Sequence, residues 1–368
     1  MARRIFILTT ESPERGGGGM EHFVRELAKG LIGNGYLVQI FHQENCLPAG
    51  LRSPSNRFAI YVANALLGFY VGRCAERSLN EEVAAVISNS TVGWYRLKGL
   101  TSTTKNLHFC HGTYRGQAEA GRPVISRRGY LKMKWWDSMV LERAGCRGKL
   151  VLCNSDQTRE EVKRFFGYDG VTIWCPLDTV HFRPIERSTC RSAIDLSGDR
   201  PVGLFVGSIQ PLKNFALARE LINTLPQIRW ILALRGEVPA EFIGNPSVRV
   251  FQNASQEQLP LLYGAADFSV CPSLSEPFGL VVAESLACGT PVIASPGGAS
   301  RLFLREEPLD RLLIPDPNSA EKFRSAIWEI VSDPAYFRRV ILDRVRPQLE
   351  ELMAPANWFR RFCKIASL

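Results

Sequence analysis

The sequence predicts an α/β protein built from two domains, each with a parallel sheet covered by helices. Short apolar segments rich in β-branched residues alternate with segments of helical periodicity along the chain, which is the pattern of sheets wound with helices. The length of 368 residues is enough for two domains of ordinary size. A polar stretch without a sustained period, residues 176–201, interrupts the alternation and divides it in two.

The strand-like segments come in two series of six. The first series is RIFILTT, YLVQIF, VAAVISNS, NLHFC, KLVLCNS and VTIWC, and the second is VGLFVG, WILAL, VRVF, FSVCPS, PVIAS and LLI. Short runs of this composition are typical of strands that are buried on both faces of a parallel sheet. We expect a first domain over residues 1–180 and a second over 181–350. The apolar C-terminal segment, 351–368, is expected to form a helix that returns to the first domain.

The sequence predicts neither a membrane span nor a signal peptide. The uncharged segment Phe58 to Gly72 has 15 residues, whereas a spanning helix needs about 18. We expect this segment to form a buried helix. The N-terminal apolar run, Ile5 to Leu8, is too short for a signal peptide and predicts the first strand. A cytoplasmic protein is therefore expected.

Ten cysteines are spread along the chain without a C-x-x-C pair. Most of them lie in apolar segments that resemble strands or helices. This pattern favours buried free thiols in a reducing compartment over disulfides or a zinc site.

Positive charge is concentrated in the first half of the chain. The first 180 residues hold 24 Lys and Arg against 16 Asp and Glu, which is a net charge of +8 out of +9 for the whole chain. Within them, Arg115 to Lys149 carries nine basic and three acidic residues, together with Tyr130, Trp135 and Trp136. This mixture suits an anionic surface on the inner membrane face; the alternative is a solvated helix face whose tryptophans point into the core. No nucleic-acid-binding module accompanies the charge, so nucleic acid is not an expected partner.

Loops at the carboxyl ends of the strands are where doubly wound domains bind ligands. The first loop contains four successive glycines, Gly16 to Gly19, which let backbone amides approach an anion at a helix N-terminus. These glycines lack the position and order of a G-x-G-x-x-G turn, so NAD is not expected. His111, just after the strand NLHFC, is placed to hydrogen-bond a ligand. The remaining histidines are expected to be structural: His22, His42, His108 and His181.

The second domain offers a lysine and two glutamates near strand ends. Lys213 follows VGLFVG at the start of a helix, where a cation beside oriented amides can hold a diphosphate. Glu276 and Glu284 stand eight residues apart, and Glu284 lies inside an otherwise apolar helical run. Because burying a charged carboxylate is costly unless it is paired, Glu284 requires a partner.

These residues make the sequence resemble the family 4 retaining glycosyltransferases, which have the GT-B fold. The stretch GGGGMEHFVRELAKGLIGNGYLV is similar to their opening glycine loop and helix, HFCHGTY to their histidine motif, and SEPFGLVVAESLACGTPVIAS to their Glu-x7-Glu motif. The resemblance covers essentially the whole chain. It implies two Rossmann-like domains facing across a crevice.

The resemblance also implies an activity. A hexosyl unit would move from a UDP- or GDP-sugar to a hydroxyl of a glycan or lipid-linked acceptor, in the synthesis of cell-surface polysaccharide or glycolipid. The configuration at the anomeric carbon would be retained. Neither a metal ion nor another cofactor is expected, and no D-x-D motif follows a strand.

Roles for individual residues follow from the same resemblance. Glu276 would bind donor-sugar hydroxyls, Glu284 the ribose hydroxyls, Lys213 the leaving diphosphate and His111 the donor sugar. The other implied donor-binding residues are Gly18, Gly19, Gly207, Ser208, Pro277, Phe278, Gly279 and Leu280.

One departure from the family pattern concerns the diphosphate. Family members commonly carry a second basic residue close to the glycine that precedes the lysine, but here Gly207 is followed by Ser208. Either Lys213 holds the diphosphate alone, or an arginine from elsewhere in the chain joins it.

Two other classes of protein share this fold. A sugar-nucleotide 2-epimerase should carry additional carboxylates and histidines near the anomeric carbon, and the first domain offers only His111. A non-catalytic nucleotide-sugar-binding protein should have lost Lys213, Glu276 or Glu284, and all three are present. The sequence therefore favours the transferase.

Overall fold

The computed structural model describes residues 3–14, 18–49 and 57–368, with side chains from residue 62 onward in the last range. The chain divides into two compact units. Unit 1 comprises Met1–Pro176 and Pro355–Leu368, and unit 2 comprises Leu177–Ala354.

Unit 1 is built on a six-stranded sheet in which every neighbouring pair of strands is parallel. Its strands are β1 (Arg4–Leu8), β2 (Leu37–Phe41), β3 (Val83–Asn89), β4 (Lys105–Cys110), β5 (Leu150–Cys153) and β6 (Val171–Thr172). The strand order is β2-β1-β3-β4-β5-β6. The central strands β1 and β3 are almost entirely buried, because helices cover both faces of the sheet.

The helices of unit 1 connect these parallel strands and cover them. They are α1 (Gly19–Gly33), α2 (Gln43–Cys46), α3 (Arg57–Arg77), α4 (Tyr114–Gly121), α5 (Arg127–Leu131), α6 (Arg143–Cys146) and α7 (Asp156–Phe166). A π-helical segment, Lys132–Glu142, joins α5 to α6.

Helix α7 shows how local sequence sets the ends of a helix. The Ser155 hydroxyl accepts a hydrogen bond from the Thr158 amide at its start, and Gly167 ends it with φ +78°.

The C-terminal helix of the chain packs in unit 1. This helix, α16 (Pro355–Ala366), buries Trp358 and Phe362 in the same apolar cluster as residues of α1 and the central strands. The ring of Trp358 lies edge-on to Phe23, with 5.7 Å between centroids, and its indole N–H donates to the Trp174 carbonyl. Burial of one aromatic stripe thus fixes α16 against α1.

Unit 2 has a five-stranded parallel sheet with the strand order β11-β10-β7-β8-β9. Its strands are β7 (Val202–Ser208), β8 (Arg229–Arg235), β9 (Val248–Gln252), β10 (Phe268–Cys271) and β11 (Val292–Ala294). Its helices are α8 (Arg187–Ala193), α9 (Phe215–Thr224), α10 (Leu259–Ala265), α11 (Leu280–Ala287), α12 (Gly298–Phe303), α13 (Ala320–Ser332), α14 (Pro334–Val340) and α15 (Arg346–Met353). The predicted α/β class with two parallel sheets is confirmed.

Three predicted segments differ from the observed elements. The segment LLI forms only an isolated bridge between Ala294 and Leu313, because Pro315 follows and has no amide hydrogen to continue a ladder. VTIWC contributes two residues to β6. The polar stretch 176–201 contains helix α8, whose Arg187 and Arg191 both pair with Asp267 at 2.6 and 2.8 Å. Tertiary ion pairs hold this helix, and they leave no periodic signal in the sequence.

Helix α3 corresponds to the predicted uncharged helix and buries Leu67, Val71 and Ala75 against the sheet. In the part of the chain that the structure describes, no helix is both long and apolar enough to cross a membrane.

All ten cysteines are free, and eight of them are buried; the exceptions, Cys74 and Cys363, are partly exposed.

Candidate active site

Lys213 and Glu276 meet at the carboxyl edge of the unit 2 sheet. Strand β7 ends at Ser208, and a single 3-10 turn, Pro211–Lys213, leads into α9 through Asn214, whose φ of +49° is left-handed. The Lys213 Nζ lies 2.6 Å from the Glu276 Oε2, and the Ser273 hydroxyl donates to the same oxygen at 3.1 Å. Two loops that are 63 residues apart in sequence thereby share one charged pair.

The backbone reinforces this meeting of two loops. Strands β7 and β10 are neighbours in the sheet, so the loops that follow them leave the same edge side by side. The Leu274 amide donates to the Leu212 carbonyl at 2.9 Å, which ties the two loops together one residue before Lys213. The position of the ammonium is therefore set by backbone contacts as well as by its own ion pair.

The electrostatic environment keeps Lys213 charged. Burial on its own lowers the pKa of Lys213, but the adjacent Glu276 carboxylate more than offsets this effect, so the pKa is raised above its ordinary value. The side chain is one-third exposed, so it remains reachable from solvent. The pair thus presents a permanent positive charge next to a carboxylate.

Helix α11 begins just after Glu276. Gly279 caps its N-terminus with φ +92°, a conformation that favours glycine, and a Cβ there would lie 3.0 Å from the Cγ of Glu276. The Phe278 ring is buried, and its carbonyl accepts a hydrogen bond from the Ala299 amide at 2.6 Å. The predicted donor-binding run from Pro277 to Leu280 is therefore held in one conformation beside Glu276, at a helix N-terminus that favours negative charge.

Glu284 lies one turn further along α11 and is only 8% exposed. Its Oε2 accepts a hydrogen bond from the Tyr263 hydroxyl at 2.9 Å. Burial raises the pKa of Glu284 to about 7, although the Tyr263 hydrogen bond acts in the opposite direction. The partner that the sequence required is thus, within the protein, Tyr263. Nothing in the sequence pattern of α10 distinguishes Tyr263 from a core tyrosine, so this role is not visible in the sequence.

Gly207 and Ser208 end strand β7 at the same edge. In the parallel pairing with β8, they lie opposite Leu234 and Arg235. Arg235 is exposed at the last position of β8. The structure therefore gathers Gly207, Ser208, Lys213 and the run from Glu276 to Glu284 at one edge of unit 2.

His111 and the glycines of the first loop lie in unit 1. The His111 ring stacks on Phe109 with 5.8 Å between centroids, and its Nε2 is 2.9 Å from the Asn89 Oδ1. The Asn89 amide nitrogen donates to the Leu8 carbonyl, so its Oδ1 is the acceptor and His111 carries its proton on Nε2. Burial lowers the pKa of His111 to about 4, so the ring is neutral near pH 7 and its Nδ1 is an acceptor.

Gly18 and Gly19 start helix α1, where Gly18 is the capping residue. Phe23 of the same helix lies edge-on to the His111 ring, with 4.7 Å between centroids. The predicted contacts of Gly16 and Gly17 fall outside the described residues.

A buried cluster in unit 1 was not predicted from the sequence. Ligand atoms of His108, Cys110 and Cys146 lie within 4.8 Å of one another. The ammonium of Lys149 lies beside them and lowers the pKa of His108, after burial, which has the larger effect. Burial in turn lowers the pKa of Lys149 to about 8, so it is largely protonated at neutral pH. The charged Lys149 ammonium repels a metal cation and so opposes metal binding by these three side chains. The cluster is therefore best described as core packing.

Comparison with known sequences gives two family matches. Residues 17–180 match Glycosyltransferase Family 4, and residues 186–343 match Glycosyl transferases group 1. D-inositol 3-phosphate glycosyltransferase 2 of Catenulispora acidiphila is 35% identical over 168 residues, which cover 39% of this chain and 39% of the relative. The D-inositol 3-phosphate glycosyltransferase of Mycobacterium bovis is 34% identical over 177 residues, which cover 42% of this chain and 36% of the relative. The chain thus aligns with about two fifths of the length of these relatives.

Solved structures resemble the chain over its whole length. Sucrose-phosphate synthase from Thermosynechococcus elongatus has a TM-score of 0.80 at 21% identity, covering 99% of this chain and 98% of that chain. HepE of Anabaena in complex with UDP-glucose has a TM-score of 0.70 at 15% identity, covering 100% of both chains. These similarities establish the fold.

The two parallel-sheet units and these structural neighbours define the GT-B fold. The chain belongs to glycosyltransferase family 4, as the two family matches, which together span most of its length, indicate.

Proposed function

We propose that this protein is a retaining, metal-independent hexosyltransferase that uses a UDP- or GDP-sugar and glycosylates a hydroxyl of a glycan or lipid-linked acceptor in cell-surface polysaccharide or glycolipid synthesis. The observation that carries the proposal is the Lys213–Glu276 pair, with Nζ and Oε2 2.6 Å apart, next to the buried Glu284 at one sheet edge. Structural neighbours in complex with UDP and with UDP-glucose favour a uridine nucleotide in the donor.

The chemistry assigns a different task to each charged group. The bond between the anomeric carbon and the β-phosphate oxygen breaks, and the acceptor oxygen forms the new bond on the same face. The acceptor proton passes to the departing phosphate oxygen. Negative charge grows on the leaving diphosphate, where the Lys213 ammonium and the N-terminus of α11 stabilise it.

Glu276 and Glu284 bind hydroxyl groups of the donor in this proposal. Glu276 accepts hydrogen bonds from the sugar, so its contacts tighten as the sugar acquires oxocarbenium character. Glu284 accepts from the ribose and must be ionised to do so fully. The neutral His111, with its Nδ1 as acceptor, is suited to a sugar hydroxyl and not to nucleophilic attack.

The donor and the reaction can be tested together. A panel of UDP- and GDP-hexoses is screened by thermal shift, since a ligand at 100 times its dissociation constant stabilises the fold by about 2.7 kcal/mol. The donor found is then used for transfer in excess EDTA, and the anomeric configuration of the product is read by NMR. Inversion, a strict need for added divalent metal, or isomerised donor without transfer would each overturn the proposal.

The acceptor side is proposed to face an anionic membrane. Trp135 is 56% exposed and Trp136 38%, so these side chains do not point into the core. Leu131 and Val140, which are also exposed, each lie four or five residues from these two adjacent tryptophans. Because a π-helix turns about once every four to five residues, the four side chains share one face of the π-helical segment and of the residue before it. An exposed helix face that combines apolar side chains with indole rings is typical of a helix that lies in a membrane interface.

Basic residues flank this exposed helix face. Arg127 and Arg128 are exposed at the start of α5, directly before it. Lys132 is different, because its Nζ is 2.6 Å from the buried carboxylate of Asp137 and its charge is neutralised there. Each exposed basic residue near an anionic surface contributes about 1 kcal/mol, so the face supports reversible attachment.

Vesicle co-sedimentation tests the membrane proposal. We expect binding to anionic vesicles that weakens with salt, and loss of binding in Arg127→Glu/Arg128→Glu and in Trp135→Ser/Trp136→Ser. Arg305→Glu/Arg311→Glu, exposed arginines of unit 2, is the control with the same change in charge. Equal binding of all variants, or no binding at low salt, would leave a soluble acceptor as the better proposal.

A further inference from the structure

The end of strand β7 carries no basic side chain. Ser208 occupies this position, and Lys213 follows five residues later. A nucleoside diphosphate carries at least two negative charges on its phosphates, so one lysine leaves much of that charge without a direct partner.

Strand β8 brings an arginine to the same place. In the parallel register, Arg235 is the direct partner of Ser208, and both are the last residues of their strands. Neighbouring strands lie about 4.8 Å apart, and register partners project to the same side of a sheet. Arg235 is therefore one strand spacing from Ser208, at the same edge as Lys213, and it is exposed there.

We propose that Arg235 is a second diphosphate ligand, which acts from the end of strand β8 together with Lys213. The inference rests on the proposed function, because it assigns a contact to the same donor. A guanidinium at this point can donate two parallel hydrogen bonds to one phosphate, which the compact Lys213 ammonium cannot do. The sequence alone left open whether Lys213 acts alone or with an arginine from elsewhere, and the register selects Arg235.

The charges of the site are consistent with this assignment. The Arg235 guanidinium acts on Lys213 across the same edge and lowers its pKa, as a nearby like charge must, although burial and Glu276 have larger effects. Two cations that repel each other gain when an anion binds between them. We expect this arrangement to favour diphosphate over monophosphate, because a diphosphate offers a phosphate group to each cation.

Binding of a nucleotide series separates this contact from the rest of the site. Affinities for uridine, UMP and UDP, or the guanosine series if the donor screen selects it, are measured by calorimetry for the wild type and Arg235→Ala. We expect the affinity for the diphosphate to fall at least about 10-fold, and that for the nucleoside to stay within about 2-fold, since a charged hydrogen bond contributes about 1.5–3 kcal/mol. Arg249→Ala, in the neighbouring strand β9, is the control and should bind all three ligands like the wild type.

A relocated arginine provides the decisive variant. Ser208→Arg in the Arg235→Ala background restores the guanidinium from the adjacent strand, and we expect it to recover diphosphate affinity to within about 3-fold of the wild type. Urea unfolding of each variant shows whether it is folded before its affinity is interpreted. If Arg235→Ala is not folded, Arg235→Gln takes its place in both the single and the double variant.

The outcomes distinguish two failures. If the wild type binds no nucleoside diphosphate, the proposed function fails. If it binds the diphosphate and Arg235→Ala binds it equally well, only the assignment of Arg235 is wrong. Loss of nucleoside affinity in parallel with diphosphate affinity would also overturn it, since it would indicate a general distortion of the site.

Discussion

The donor-side edge of unit 2 and the exposed helix face of unit 1 both carry charge, but they hold it in opposite ways. At the edge, Lys213 and Glu276 are paired at 2.6 Å and Glu284 is buried against Tyr263. On the helix face, Arg127 and Arg128 are exposed next to Trp135. Fixed groups of defined geometry suit one particular ligand, whereas exposed charges with rotamer freedom suit a diffuse surface such as a membrane. The comparison predicts large, specific effects of substitution at the edge and small ones on the face.

The largest effect is expected at Lys213. Lys213→Met removes the charge that meets the leaving diphosphate but keeps much of the apolar stem, so turnover should fall about 10²- to 10³-fold. Initial rates at saturating donor measure this change. Lys322→Met, an exposed lysine in the first turn of α13, is the matched control. A decrease in turnover of less than about 3-fold in Lys213→Met would contradict the role of Lys213 and the expected difference between the two regions.

The two glutamates should separate in kinetics. Glu276→Ala is expected to lower kcat more than donor affinity, because its contacts strengthen in the transition state, whereas Glu284→Ala should weaken donor binding about 10-fold with a smaller change in kcat. Steady-state kinetics combined with calorimetry of donor binding distinguishes the two patterns. Equal and small changes in kcat and donor affinity in both variants would contradict the assignment of Glu276 to the donor sugar and Glu284 to the ribose.

Donor affinity should depend on pH through Glu284. Its pKa is raised to about 7 by burial, so the ionised, hydrogen-bond-accepting fraction grows from pH 6 to pH 8 and affinity should rise several-fold over that range. Glu284→Gln should flatten the dependence. Tyr263→Phe removes a hydrogen bond that lowers the Glu284 pKa, so the midpoint should move to higher pH. A wild-type affinity that is constant over the range, or that falls, would contradict this prediction.

The smallest effect concerns stability. Trp135→Ser/Trp136→Ser should change the free energy of unfolding by less than about 0.5 kcal/mol per site, since both side chains are exposed, Trp135 to 56% and Trp136 to 38%. Urea denaturation measures the change. Trp230→Ser, a fully buried tryptophan, is the contrasting variant and should cost several kcal/mol. A large loss from the exposed pair would show that these tryptophans serve the fold and weaken the membrane proposal.

Much of the fold followed from strand composition. The segments VGLFVG and WILAL form β7 and β8, as short apolar runs between turn signals are typical of strands buried on both faces of a parallel sheet. LLI failed because the proline after it ends the ladder, and α8 was missed because distant ion pairs to Asp267 stabilise it. Local composition reports burial, but it does not report contacts made by residues far apart in sequence.

The sequence by itself determined the family and the alternation of strands and helices, and it marked Lys213, Glu276, Glu284 and His111 as candidate site residues, because motif spacing and apolar patterning are local properties of the chain. Tertiary structure alone decided the partners. It paired Lys213 with Glu276, gave Glu284 its hydrogen bond from Tyr263, and placed Arg235 opposite Ser208. It also turned Trp135 and Trp136 outward, which the charge pattern left open. Partners and exposure depend on how strands register and helices pack across long sequence separations, and no local pattern encodes either.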